Sequence, residues 1–294
     1  MSTPRRLSAI ILPVALGLAL TLGGATQSTA AQAPVGLGSA GSYAVLAGST
    51  VTNTGPSTLN AAVGVSPGSA ITGFPPGLLS GGTIHSADSA AAQAQAAVTT
   101  AYNDAAGRTT SATVTADLGG QTLVAGVYTG GSLAITGTLI LDGKGDPNSV
   151  FVFQAASSLT TASSSKVSLI NGASSCNVFW LVTSSATLGT NSTFVGTVLA
   201  LASITATTGA SISGHLFARN GAVTLDSNNV KSSACSSSTT GTTGATHTTP
   251  SVPGRPLPGT GKASTVTMKA ALLFTVLGGL TLLAVRRSPR RNQL

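Results

Sequence analysis

The feature that most constrains the fold is an alternating pattern that runs from Asn177 to Val230. Single aliphatic residues alternate there with Thr, Ser, Gly and Ala, and Gly or Asn interrupts the alternation at short intervals. A period of two is typical of β-strands that bury one face and expose small, hydroxyl-bearing side chains on the other. Pulses with one aliphatic residue among small ones recur at 158–160, 187–189, 203–205 and 222–224. Because such pulses can stack as successive coils around one core, the sequence predicts an imperfect β-solenoid.

Charge is concentrated at the two ends of this 294-residue chain. The formal net charge is +8, yet only 7% of residues are charged and there is no glutamate. Between Pro34 and Lys231, six Asp oppose five Lys and Arg, so the body of the chain is close to neutral. Without a basic face to neutralise phosphates, nucleic-acid binding is not expected. The length allows one domain of ordinary size plus extensions.

One long helix is predicted over Ser86–Ala106, with its first residue as the N-cap, Asp88 in the first turn and Gly107 as a left-handed stop. An alanine-rich stripe lets a helix lie close to a flat sheet. We expect it to pack on the bulkiest strands, at 150–153 and 178–182, whose consecutive apolar residues indicate cover on both sides. The alternative is that the stripe binds another protein. The stripe comprises Ala87, Ala91, Ala94, Val98, Ala101, Tyr102 and Ala105.

Several further blocks occur in order along the chain, namely LGSA and YAVLAG at 37–48, GVSPGSAITGF at 64–74, DLGG at 117–120, GVY at 126–128 and GDPN at 145–148. Together with 177–230 they cover nearly all of residues 36–230, and they resemble the ice-binding-protein-like family of secreted microbial proteins. The resemblance implies a mainly β fold. Its form is a discontinuous right-handed β-helix of triangular cross-section, with one long α-helix packed alongside. It also implies ice binding as an activity that many members have.

The small outward residues of these strands define a candidate ice-binding array. Adjacent coils lie about 4.8 Å apart, close to a repeat in the ice lattice, so Thr and Ser on successive coils form a regular array. A threonine methyl disfavours disordered water while its hydroxyl holds one water in place. With Leu159, Leu188, Ile204 and Val223 facing inward, the candidates are Thr136, Thr138, Ser158, Thr160, Thr187, Asn191, Ser203, Thr205, Thr207 and Thr224. The expected partner is an ice surface and its ordered water.

The segment Thr205–Thr208, TATT, fits the T-A/G-x-T/N type of motif that the resembled family often shows on its ice face. Lys166 and Asp226 are charged departures near such a face. The alternative is that Thr and Ser here reflect only strand propensity and solubility.

Residues 1–30 are typical of a secretory signal peptide. Arg5 and Arg6 precede an apolar run at 7–22, and the small residues at 28–30 favour cleavage after Ala30. We therefore expect export, with the solenoid domain at 31–231.

Residues 257–294 resemble a sortase cell-wall sorting signal. A pentapeptide is followed by an apolar run at 270–285 and by four Arg between 286 and 291. The run would pause in the membrane with the Arg on the cytoplasmic side, while a sortase transpeptidase cuts between Thr260 and Gly261 and joins the protein to peptidoglycan. The alternative is an ordinary membrane anchor with a chance pentapeptide. The pentapeptide is Leu257, Pro258, Gly259, Thr260 and Gly261.

Between the domain and this signal, residues 232–256 are rich in Ser, Thr and Pro and nearly free of apolar side chains, which predicts an extended stalk. Cys176 and Cys235 are the only cysteines, and an even number in an exported chain favours a disulfide between them. Two free thiols are the alternative. A metal site at this pair is not expected, because no third ligand is near in sequence.

The chain shows no recognisable catalytic motif and calls for no cofactor. His85, His215 and His247 lack a Ser or Cys in a triad setting. The segment Asp142–Asp146 only faintly resembles a calcium loop, because Lys144 occupies a ligand position, and a turn between strands explains it better. Parallel β-helices do host polysaccharide lyases, so an enzyme is an alternative on fold grounds alone.

The leading hypothesis is a noncatalytic, wall-anchored, extracellular ice-binding protein that acts as an antifreeze or limits recrystallisation. The alternative is a surface adhesin or matrix protein of the same fold that binds polysaccharide or another cell. The scarcity of aromatic residues, 4% of the chain, argues against sugar stacking.

Overall fold

A computed structural model describes residues 32–232 and Cys235. A 3-10 helix at Gly38–Ser42 precedes two N-terminal coils, and a second lies at Ser175–Asn177. The N-terminal strands are β1 (Tyr43–Ala47), β2 (Thr50–Thr54), β3 (Thr58–Leu59), β4 (Ala62–Val65), β5 (Ala70–Thr72), β6 (Leu78–Leu79) and β7 (Ile84–Ser86). The helix α1 (Ser89–Gly107) follows them.

The remaining strands continue the coils after the helix. They are β8 (Ala112–Thr113), β9 (Thr122–Val124), β10 (Gly126–Gly130), β11 (Leu133–Ile135), β12 (Thr138–Asp142), β13 (Phe151–Ala155), β14 (Leu159–Thr161), β15 (Lys166–Ile170), β16 (Val178–Val182), β17 (Ala186–Leu188), β18 (Thr193–Val195), β19 (Thr197–Ala200), β20 (Ile204–Ala206), β21 (Ser211–Ser213), β22 (Leu216–Ala218), β23 (Val223–Asp226) and β24 (Asn229–Lys231). Each full coil contributes one strand to each of three sheets.

All the strand pairs are parallel. Sheet A orders nine strands as β7, β4, β1, β22, β19, β16, β13, β10 and β8. Sheet B orders seven as β11, β14, β17, β20, β23, β2 and β5, and sheet C orders eight as β6, β3, β24, β21, β18, β15, β12 and β9. Three parallel sheets around one core, with one α-helix alongside, confirm the predicted mainly β solenoid.

The stacking order of the coils differs from their order in the chain. The last coil pairs with the first in all three sheets, through β22 with β1, β23 with β2 and β24 with β3. The helix lies between β7 and β8 in the chain, which form the two opposite edges of sheet A. Its 19 residues span about 28 Å at 1.5 Å per residue. The helix thus carries the chain along the solenoid, which makes the solenoid discontinuous.

The core lies between the three sheets and is richest in aromatic side chains beneath sheet A. Tyr128, Phe153 and Trp180 stack on neighbouring strands, with ring centroids 5.4 and 4.1 Å apart. The indole Nε1 of Trp180 donates to the carbonyl of Val195 at 2.9 Å, so this buried polar group is paired. Every residue of β16 is buried, which confirms that this strand is covered on both sides.

The predicted helix stripe is confirmed except at its first residue. All six remaining residues are buried, namely Ala91, Ala94, Val98, Ala101, Tyr102 and Ala105. All but the first of them form one cluster with outward side chains of sheet A that include Val152, Phe179, Leu199 and Phe217. Ala87 instead lies outside the helix, exposed and with φ 51°. Because the stripe packs inside the molecule, the alternative of a protein-binding stripe is wrong.

The predicted ends of the helix were wrong by a few residues. Asp88 is the N-cap, and its carboxylate accepts from the Ala91 amide at 2.8 Å. Ser86 belongs to β7, and its hydroxyl donates to the Ser69 carbonyl at 2.6 Å. Gly107 is the last helical residue rather than a left-handed stop, because the chain continues into an extended Arg108.

Among residues 32–232, no helix is long and apolar enough to cross a membrane. The signal peptide, most of the stalk, His247, the pentapeptide and the apolar run at 270–285 lie outside the described residues.

Candidate functional site

A straight row of threonines crosses sheet B. The strand register places six threonines side by side on six successive coils, and Ala134 precedes them on β11. At about 4.8 Å per strand, the row is about 24 Å long. In spatial order its members are Thr160, Thr187, Thr205, Thr224, Thr52 and Thr72, and we call them the threonine row.

The alternation along each strand makes the row face outward. Thr205 lies between Ile204 and Ala206, which are 0% and 1% exposed, and Thr224 lies between two fully buried aliphatic residues. The threonines themselves are half-buried or exposed. Because successive side chains of a strand point to opposite faces, burying the aliphatic set fixes the threonines on the outer face.

None of the six hydroxyls in the threonine row has a hydrogen-bond partner among the described residues. The hydroxyls that flank the row are in part used by the protein itself. Thr207 donates to the Leu188 carbonyl at 2.8 Å, and Thr54 donates to the Leu225 carbonyl at 3.2 Å. The central row therefore presents hydroxyls that are free to bind water, whereas its border is tied to the backbone.

On the other side of the row, serine hydroxyls line the corner where sheet A gives way to sheet B. Ser185 accepts from the Ser203 amide at 3.2 Å, and Ser203 accepts from the Ala222 amide at 3.1 Å. Ser158 donates to Ser132 at 3.2 Å. These bonds hold the corners of successive coils in register next to the threonine row.

The structure brings together four of the predicted threonines, Thr160, Thr187, Thr205 and Thr224, in one register. Ser158, Ser203 and Thr207 lie on the borders, each two residues from a row member along the chain. Leu188 is buried as predicted, but its partner in β20 is Ala206, while Ala186 aligns with Leu159.

The other three predicted candidates lie on neither the row nor the borders just described. Thr138 begins β12 of sheet C and pairs with Lys166, so its assignment to the same face was wrong. Thr136 lies beyond the end of β11, where its amide and hydroxyl both donate to the Asp117 carboxylate. Asn191 lies in the turn after β17 with φ 55°, at the corner toward sheet C.

Sequence reasoning missed Thr52 and Thr72, which form one end of the row. A signal existed for the first, because Thr50–Thr54 reads TVTNT and alternates with Val51 buried and Thr52 half-buried. What the sequence could not supply was the pairing of β2 with β23, which joins the first coil to the last.

The two charged departures lie off the threonine row. Lys166 belongs to sheet C. Asp226 is at the end of β23, where its carboxylate accepts from the hydroxyls of Thr208 and Ser227, the latter at 3.1 Å. Neither charge interrupts the row of six threonines.

Both histidines of the described chain have structural partners. His85 Nδ1 lies 2.7 Å from the Asp88 carboxylate, and its Nε2 lies 2.9 Å from the Thr83 hydroxyl, which supports the helix cap. His215 is 2% exposed, and burial lowers its pKa although the Tyr43 carbonyl lies 2.6 Å from its Nδ1. No group of three or more His, Cys, Asp or Glu among the described residues is arranged to hold a metal ion.

The predicted disulfide is present. Cys176 and Cys235 are bonded, with their Cα atoms 5.4 Å apart, so the alternative of two free thiols is wrong. Just before the bridge, the Asn60 amide group pairs with the backbone of Ser232 in both directions, at 2.8 and 3.0 Å. The end of the solenoid domain is therefore attached at the corner between sheets C and A.

Comparison with known proteins supports the assignment of the fold. The chain is 54% identical to an ice-binding protein of Nostoc sp. (strain HG1) over 202 residues, which is 68% of this chain and 74% of the relative. A crystal structure of an ice-binding protein from the Antarctic ascomycete Antarctomyces psychrotrophicus matches at 45% identity and TM-score 0.67. That match covers 69% of this chain and 100% of the other. A crystal structure of an ice-binding protein from an Antarctic biological consortium matches at 50% identity and TM-score 0.67, over 68% of this chain and 92% of the other. A family model described as Ice-binding-like matches residues 45–231, and the chain belongs to this family.

Proposed function

We propose that this protein binds ice through the threonine row of sheet B. The observation that carries the proposal is the common register of six threonines whose hydroxyls have no partner among the described residues. The relatives named as ice-binding proteins support the same function.

The geometry suits a surface that orders water before it meets a crystal. Each threonine places a methyl group beside a hydroxyl. The methyl excludes mobile water, and the free hydroxyl holds one water in a fixed place. Because the row is built on hydrogen-bonded parallel β-strands, its spacing is set by the backbone ladder. The bound waters then share a regular repeat that an ice surface can continue.

The composition of the exposed surface favours ice over a carbohydrate ligand. Sugar binding commonly uses exposed aromatic rings, but Trp180 is only 1% exposed, and Tyr43, Tyr102 and Tyr128 are 3%, 8% and 7% exposed. These are all the Trp and Tyr residues of the chain. No specific observation therefore favours the adhesin alternative.

The test is a lysine substitution at the middle of the row. Thr205→Lys places a mobile, strongly hydrated group between Thr187 and Thr224. We expect loss of ice-crystal shaping and of recrystallisation inhibition, with the circular dichroism spectrum unchanged. The matched control is Thr58→Lys on sheet C, which should keep full activity. An inactive wild type would refute ice binding, and a fully active Thr205→Lys would refute this face.

We further propose that the protein is exported and attached to the cell wall through residues 257–294. The support is the order of pentapeptide, apolar run and Arg cluster in the sequence, together with the signal-like residues 1–30. Attachment would hold an ice-binding domain at the cell surface, where the domain would contact extracellular ice.

A further inference from the structure

Two neighbouring loops meet where sheet C gives way to sheet A. One follows β12 and includes Lys144, and the other follows β15 and begins with Asn171. Their backbones are paired, because the Gly145 amide donates to the Asn171 carbonyl at 2.8 Å and the Gly143 amide donates to the Ile170 carbonyl at 3.1 Å. Residues of two successive coils are thus held side by side.

One buried carboxylate contacts an amine and an amide from these two loops. Asp142 is 5% exposed, and its Oδ2 lies 2.9 Å from the Lys144 Nζ. Its Oδ1 accepts from the Asn171 Nδ2 at 2.9 Å and from the Lys144 backbone amide at 2.8 Å. The hydrogen bond from the Lys144 side chain, followed by those from its amide and from Asn171, lowers the pKa of Asp142 to about 2. The carboxylate is therefore ionised at neutral pH, and as a weak base it holds a proton from the ammonium only transiently.

The backbone at both partners is unusual. Lys144 has φ 53° and Asn171 has φ 49°, in the left-handed region that residues other than glycine seldom adopt. Asparagine tolerates this region, but lysine has no such preference. The long lysine side chain returns to the carboxylate two residues earlier.

We propose that Lys144 and Asn171 form an intramolecular isopeptide bond, with Asp142 as the proton carrier. The Lys144 ammonium gives a proton to the Asp142 carboxylate, and the neutral Nζ attacks the Asn171 Cγ. The bond from Cγ to Nδ2 then breaks, and Nδ2 takes the proton from Asp142 and departs as ammonia. The new amide nitrogen gives its second proton to the freed Asp142 carboxylate, which passes it to solvent. One N–C bond forms and one breaks. Of the three ammonium protons, one leaves with ammonia, one stays on the isopeptide nitrogen and one is released to solvent, so no oxidant or cofactor is needed.

The position of Lys144 determines how the reaction proceeds. Its side chain is 68% exposed, so water stabilises the charged ammonium, and only the neutral amine has a lone pair for attack. The cross-link therefore accumulates over time and faster in alkaline solution. Asp142 brings amine and amide together, which replaces a bimolecular encounter with an intramolecular one.

The product would be a covalent staple between the corners of two stacked coils. The loop that carries Asn171 also carries Cys176, which is bonded to Cys235. The isopeptide would extend this covalent reinforcement by one more coil, and unlike the disulfide it would resist reduction. It would also remove one positive charge and block trypsin cleavage after Lys144.

The test is a tryptic peptide map of the full-length wild type, after incubation in neutral and in alkaline buffer and after reduction. The expected product is a branched peptide that joins residues 109–166, uncut at Lys144, to residues 167–219. Its mass is lower than the sum of the masses of peptides 109–166 and 167–219 by one ammonia. Lys144→Arg keeps an ion pair but removes the nucleophilic amine, and Asp142→Asn removes the proton acceptor. Neither variant should give the branched peptide, whereas Lys166→Arg should still give the Lys144–Asn171 link.

Asn171→Gly, which suits the left-handed backbone, provides a second variant without the amide and should also lack the branch. The proposal would be overturned if the wild type gave no branched peptide even after prolonged alkaline incubation. Loss of ammonia confined to Asn171 and Gly172 would also overturn it, because that result identifies cyclisation of an Asn-Gly pair. A branch that persists in Lys144→Arg would assign the link to another amine.

Discussion

Thr224 and Thr52 lie side by side in register on sheet B, although one belongs to the last coil and the other to the first. Their contact exists because the last coil stacks on the first while α1 links the two ends of sheet A. Thr52 in turn pairs with Thr72, so two N-terminal strands lengthen the row beyond the four threonines supplied by the C-terminal coils. The proposed ice face is thus complete only when the two halves of the chain are docked.

This junction predicts that Thr52 is as important for ice binding as Thr205. Thr52→Lys should abolish recrystallisation inhibition because it breaks the row at the junction, while unfolding stability changes by no more than about 0.5 kcal/mol. Thr138→Lys on sheet C is the comparison, and it should remain active. If Thr52→Lys were as active as Thr138→Lys, the functional row would end at Thr224.

The sequence could predict the parts of this site that depend on the pattern within a single strand. The outward direction of Thr187, Thr205 and Thr224 is set within each strand by the buried aliphatic residues on either side, so alternation was sufficient. The same alternation occurs on sheet C, where Thr138 and Lys166 lie, and a period of two does not say to which sheet a strand belongs. That ambiguity explains the wrong assignment of Thr138.

Other errors arose where a tertiary partner decided the outcome. Ser86 is a good N-cap residue by type, but β7 pairs with β4 and uses it as a strand residue, which moves the cap to Asp88. Thr136 fits an outward position, but Asp117 from the preceding coil binds its hydroxyl. In both cases a hydrogen bond with a residue distant in the chain replaced the arrangement that the local sequence favours.

The disulfide should stabilise the domain chiefly by restricting the unfolded chain. Cys176 and Cys235 are 59 residues apart, and loop entropy predicts about 4 kcal/mol for a closure of this size. The double variant Cys176→Ser, Cys235→Ser should therefore melt at a lower temperature than the oxidised wild type. Adding a reductant should lower the melting temperature of the wild type and leave that of the variant unchanged. A thiol reagent that labels the native exported protein without reduction would contradict the bridge.

Attachment to the wall is predicted to depend on Thr260. If a sortase cuts between Thr260 and Gly261, Thr260→Ala should move the protein from the fraction released by wall hydrolases to the membrane fraction. The matched control is Thr265→Ala, which makes the same change just outside the pentapeptide and should leave the protein in the wall fraction. Release of the wild type by detergent alone would show a membrane anchor instead.

The last prediction concerns the buried histidine. His215 is 2% exposed between sheets C and A, and burial lowers its pKa below the usual value of about 6.5. The folded state therefore binds a proton at this ring less readily than the unfolded state does. Full stability from this group is present above the unfolded pKa and is lost as the pH falls from there toward the folded pKa. His215→Gln, which keeps a donor for the Tyr43 carbonyl, should be less stable at neutral pH because of imperfect packing, but its free energy of unfolding should fall less between neutral and mildly acidic buffer. Urea unfolding across this pH range measures the difference, with His85→Gln as the control at a less buried histidine near the helix cap. Parallel pH profiles for the wild type and His215→Gln would mean that the buried ring does not govern acid sensitivity.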